Sequence, residues 1–110
     1  MGFFANLFSK KGEDSVKFRR EMAQKIAKQR IRYVTEKKND IEEVIGKDGA
    51  FSIRDGQFIV FASSDVLFRT NVDDLRAWEL LSGEGAVLTG PDLDRDGEER
   101  TVTAFYVYYR

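Results

Sequence analysis

A pattern of side chains able to bind a ligand occurs in one short run, Asp92-Leu93-Asp94-Arg95-Asp96-Gly97-Glu98. Carboxylates at its first, third and fifth positions, followed by glycine, open a calcium loop of the EF-hand type. Alternate side chains in such a loop converge on a hard cation, and the glycine permits the sharp turn. Asp92, Asp94 and Asp96 are therefore candidate metal ligands. The pattern then stops, because the position for a bidentate glutamate is occupied by Thr103 and no helices flank the run. Arg95 and Arg100 also offset its negative charge. A solvated hairpin loop is the simpler expectation, and no cofactor is expected. The chain has no cysteine and no histidine. Thiolate metal sites, disulfides, the commonest general base and Ser/Cys–His arrangements are all absent with them. No glycine-rich phosphate loop or nucleophile motif is present, so the expected role is non-enzymatic.

Charge is the second feature with functional content. The 110 residues carry 18 Lys/Arg and 19 Asp/Glu, a net charge of −1. Residues 1–47 hold twelve basic against seven acidic side chains, and residues 48–110 hold six against twelve. All the lysines lie in the first part. Either a basic surface is offered to a polyanion, or the basic part docks on the chain's own acidic part. Met1–Lys11 places Phe4, Leu7 and Phe8 at helical spacing ahead of two lysines, the look of an interfacial helix. Packing of this arm on the domain or on a neighbouring protomer is preferred to membrane contact. Phe4, Leu7, Phe8, Arg19, Arg20, Lys28 and Arg32 form the candidate binding surface. A protein partner or self-association is the preferred reading. A peripheral membrane adaptor acting through the arm and the basic segment is the first rival, and nucleic-acid binding by that segment the second. No helix-turn-helix or zinc pattern supports the latter. No apolar run approaches the roughly 20 residues of a spanning helix, and no export signal is read at the start. The expected location is the cytoplasm, with the membrane surface as an alternative.

The element that should carry the basic residues is a long helix. Asp14 or Ser15 is a suitable N-cap, and no Gly or Pro interrupts the chain from there to Ile45. Phe18, Met22, Ile26, Tyr33, Val34, Ile41, Val44 and Ile45 fall near one stripe. The expectation is one helix over 14–46, or two broken near Asn39-Asp40, ended by Gly46. At that length it would outrun a small sheet and leave part of itself for a second chain.

Beyond it the chain reads as strands. Ala50–Arg54 and Gln57–Ala62 flank Asp55-Gly56, a dipeptide suited to a type I′ turn. That loop pairs Ile53 with Phe58 and Phe51 with Val60. Ser63-Ser64 makes the next turn, setting Val60 opposite Leu67, with Phe61/Val66 and Ile59/Phe68 on the other face. Asn71–Ser82 reads as a helix, but Ala77–Ser82, Gly83-Glu84-Gly85 and Ala86–Thr89 also read as strand, turn and strand; the hairpin is preferred, with Trp78 as a core or edge anchor. Thr101–Arg110 is the last strand, with Val102, Ala104, Tyr106 and Tyr108 on one face.

An antiparallel run of about six strands with a lone Trp in the fourth, covered by a helix, resembles the small bacterial domains similar to pleckstrin-homology and GRAM domains. The resemblance covers Lys47–Arg110 and rests on strand count and order. It implies a non-catalytic scaffold for lipid or protein contacts, and no site residue carries over. One departure is that those domains close with a C-terminal helix, whereas here the helix comes first. The expected fold is a single α+β domain over 1–110: an arm (1–13), a basic helix (14–46) and a twisted antiparallel sheet or partly closed barrel of five to six strands (47–110).

Overall fold

The structure, a computed structural model, describes residues 16–107. It is α+β: helix α1 over residues 16–27, then seven antiparallel strands. These are β1 (Arg30–Lys38), β2 (Ile41–Arg54), β3 (Gln57–Ala62), β4 (Asp65–Asn71), β5 (Arg76–Glu79), β6 (Gly85–Asp92) and β7 (Glu98–Tyr106). They form one open sheet in the order β4-β3-β2-β1-β7-β6-β5. Every chain-neighbouring pair except β4 and β5 is adjacent in the sheet, and β7 returns to β1.

The long helix is overturned: α1 stops at residue 27, and residues 30–54 form two strands. Ile31, Tyr33, Val34 and Thr35 are β-branched or aromatic residues that favour a pleated surface over a helix. Asn39-Asp40 is a two-residue hairpin turn, not a break between helices. Both residues have positive φ, 52° and 65°, as a type I′ turn requires. Asp55-Gly56 and Ser63-Ser64 repeat the arrangement, so the first four strands are joined by three such turns. Gly46 does not end a helix; it lies within β2, where a Cβ would crowd Ala62 on β3 and Leu67 on β4. At Gly49 a Cβ would run into the carbonyl oxygen of Phe61, so only glycine fits.

The expected pairings Ile53/Phe58 and Phe51/Val60 are present. Phe51, Phe58 and Val60 are buried, while Ile53, beside the turn, is 39% exposed. The next register is corrected. A bulge between Val60 and Phe61 leaves Leu67 unpaired and sets Val60 opposite Phe68. An extra residue reverses side-chain parity beyond it, so Phe68 enters the core fully buried. Phe61 still faces Val66.

The core lies inside the curl of the sheet. Phe51, Phe58, Val60 and Phe68 meet Leu88, Val102, Ala104 and Tyr106 from the other half, and α1 adds Ala23 and Ile26 at zero exposure. The sheet bends until β4 approaches β6: a Cβ on Gly90 would lie 3.1 Å from both the Asp74 carbonyl and Thr70 Oγ1. The hairpin preferred over a helix after Asn71 is present as β5 and β6, its first strand shorter and its second longer than expected, following a single 3-10 turn at Val72–Asp74.

Candidate interaction surface

The approach of β4 to β6 is secured by ions rather than by a ladder. Arg100, on β7, turns inward and is 5% exposed at its side chain. Its Nε and Nη2 donate to the two oxygens of Glu36 on β1 at 3.0 and 2.7 Å. Its Nη1 donates to Asp92 Oδ2 on β6 and to the Leu67 carbonyl on β4, both at 2.7 Å. One guanidinium therefore ties four strands together. Its hydrogen bonds hold the Glu36 carboxyl below the usual carboxylate range against the opposing effect of burial. A cavity of about 370 Å³ lies beside the cluster, lined in part by Lys38, Asp65 and Arg95. Of the carboxylates facing it, Glu36, Asp92 and Asp94 are paired with arginines, while Asp65 accepts from the Val66 amide.

The candidate metal ligands do not converge. Asp92 is 1% exposed at its side chain and bonds inward to Arg100, while its Oδ1 accepts from the Asp94 amide at 3.0 Å. Asp94 points instead to Arg69, at 3.3 Å. Asp96 adopts positive φ, 56°, in the turn before β7. Among the described residues no group of three or more Asp and Glu is placed to hold a metal ion.

The candidate basic surface is split. Phe4, Leu7 and Phe8 lie outside the described residues. Arg20 pairs through two hydrogen bonds, 2.8 and 2.9 Å, with Asp73 in the β4–β5 connection, and Arg19 donates to the Asp73 carbonyl at 2.8 Å. Arg20 holds the Asp73 carboxyl below its usual range, chiefly through those bonds. Lys25 reaches Glu79 on β5 at 2.8 Å. Lys28 is exposed in the turn after α1, and Arg32, on β1, lies with its guanidinium 4.9 Å from the Tyr33 ring centre. The helix face toward the sheet is thus compensated by the chain's own acidic half, and the other basic residues stand on a different element.

What sequence reading did not assemble is the outer face of the sheet. Register places Trp78, Val87, Thr103, Thr35 and Val44 in one row across β5, β6, β7, β1 and β2. Beside it Tyr33 and Phe105 stack with ring centres 4.6 Å apart. Trp78 is 52% exposed and Val44 51%, so the row ends in an apolar side chain at either side. Trp78 stands on β5, which among the described residues pairs only with β6 and is one edge of the sheet. Leu81, just beyond, is fully exposed. Such a row is invisible until β1 and β2 are recognised as strands. The pair Glu36–Arg100 was missed for the same reason.

No family model, curated protein or solved structure matches the chain. Among the described residues no helix is long and apolar enough to cross a membrane.

Proposed function

We propose that this chain is a non-enzymatic interaction module that binds protein, itself included, through the β5 edge and the adjoining outer face. The observation that carries this is Trp78: a large aromatic half exposed on an edge strand whose outer side has no partner among the described residues, next to a fully exposed leucine. Tryptophans at interfaces contribute disproportionately to binding, and exposed apolar side chains grouped on an edge mark contact surfaces. The kinship with pleckstrin-homology and GRAM-like scaffolds belongs to the same proposal. Its support is the curled antiparallel meander with a helix over the core, although Trp78 lies in the fifth of seven strands. A cytoplasmic setting is part of the proposal.

The test compares partners of three kinds at physiological salt. The full chain should bind neither anionic vesicles nor duplex nucleic acid beyond trace, because Arg20 and Lys25 already hold carboxylates and Arg19 a backbone carbonyl. It should enter a complex larger than the monomer in a native extract, and Trp78→Lys should remove it. Pelleting with anionic vesicles that disappears on deleting residues 1–11 would establish the membrane adaptor instead.

A further inference from the structure

We infer that the β5 edge is built to pair antiparallel with the β5 of a second copy, about a two-fold axis through Trp78. This rests on the interaction-module reading and specifies its partner. Leu80 N–H donates to the Gly85 carbonyl at 2.8 Å, which makes 80/85 a hydrogen-bonded pair. In an antiparallel ladder such pairs alternate, so Trp78/Val87 and Arg76/Thr89 are hydrogen-bonded as well. The N–H and C=O groups of Ala77 and Glu79 then point away from β6. Among the described residues no strand pairs with that side.

Only certain registers let these groups satisfy one another. Antiparallel pairing about a two-fold keeps the outer faces of both copies on one side, so outer residues must oppose outer residues. Setting Ala77 opposite the second copy's Ala77 would bring Leu75 against Glu79, but the Leu75 amide already donates to the Val72 carbonyl at 3.2 Å. Setting Trp78 opposite Trp78 brings Ala77 against Glu79 twice. The four outward groups of each strand are then all used, in four hydrogen bonds. Trp78 occupies the closer, non-hydrogen-bonded pair position, where cross-strand aromatic contact is strongest. Arg76, whose guanidinium pairs with Glu99, lies opposite Leu80 on the outer face. On the inner face the small Ala77 leaves room beside Glu79, whose carboxylate is held by Lys25. The β4 edge has no such opportunity, because its Leu67 carbonyl is taken by Arg100.

Sedimentation of the full chain should show the mass rising from one chain to two with concentration. Trp78→Lys, at an exposed position, should leave the circular dichroism and melting temperature unchanged and weaken dimerisation by about thirtyfold, as loss of an interfacial tryptophan anchor does. The register has its own test, since the chain has no cysteine. Arg76→Cys and Leu80→Cys should form a disulfide-linked dimer when mixed and none when oxidised separately. A monomer at every concentration overturns self-pairing, and so does an oligomer indifferent to Trp78→Lys. Rapid self-crosslinking of either cysteine variant overturns the register. If the chain is monomeric yet loses another protein on Trp78→Lys, self-pairing fails while the interaction-module reading survives; loss of both removes both.

Discussion

Replacing Arg100 by Met is the sharpest perturbation of the fold, because it removes a charge and keeps an unbranched stem. The variant leaves Glu36 and Asp92 facing each other's charge without their shared cation, in a place where their side chains are 9% and 1% exposed. It also deprives the Leu67 carbonyl of its donor. Breaking a buried ion pair from one side costs about 3–5 kcal/mol. A domain of this size has in total about 5–15 kcal/mol, so Arg100→Met should lose roughly a fifth of the stability or more. Urea melts with linear extrapolation measure this directly. Adding Glu36→Gln and Asp92→Asn should restore most of the loss, since the buried charges go with the cation. Acid gives the sign. The Glu36 carboxyl is depressed by Arg100, so its stabilising contribution is complete above the unfolded carboxylate range and is lost as pH falls through the folded value. Without the guanidinium, burial raises that carboxyl instead, and the variant gains relative stability on acidification. The gap between the two proteins should narrow as pH falls. A loss below about 1 kcal/mol, the scale of an exposed pair, would refute the clasp between β4 and β6.

Phe58 is fully buried, with its ring centre 5.5 Å from that of Phe51; Phe58→Ala should therefore cost about 3–5 kcal/mol in the same melts. A loss under about 1 kcal/mol would mean the buried face of the β2–β3 hairpin is misassigned. Millimolar calcium should leave the melting temperature unchanged, because Asp92 and Asp94 are directed apart to different arginines. A saturable rise abolished by Asp94→Ala would show that the loop gathers around the ion after all.

How much was legible in the sequence follows from which signals are local. Asp55-Gly56 specified its turn and thereby the pairings Phe51/Val60 and Ile53/Phe58, since loop length and turn type set register without tertiary information. Ser63-Ser64 likewise placed Phe61 against Val66. The bulge at Leu67 was not legible, because it serves the curl that lets β4 approach β6 and Arg100 reach the Leu67 carbonyl. The first half of the domain misled because Phe18, Met22 and Ile26 do form a helical stripe, which Tyr33, Val34, Ile41, Val44 and Ile45 continue by coincidence. Val34, Gly46 and Ile45 are in fact neighbours across a two-strand bulge. The β-branched run from Ile31 to Thr35 and the turn dipeptide Asn39-Asp40 held the opposing information. Once those strands are in place, Glu36 falls two residues beyond the buried Val34 and Arg100 two before the buried Val102. That alternation on facing strands is the signal for an inward ion pair.

Amide hydrogen exchange at the β5 edge, measured residue by residue across a range of protein concentrations, distinguishes an edge that joins two copies from one that stays free. The amides of Trp78 and Leu80 bond to β6 and should be protected at every concentration. Those of Ala77 and Glu79 point outward and should exchange rapidly in dilute solution, then become protected as the chain associates, with Trp78→Lys abolishing the change. Rapid exchange at Ala77 and Glu79 in concentrated protein, or protection that does not vary with concentration, would contradict an edge that joins two copies.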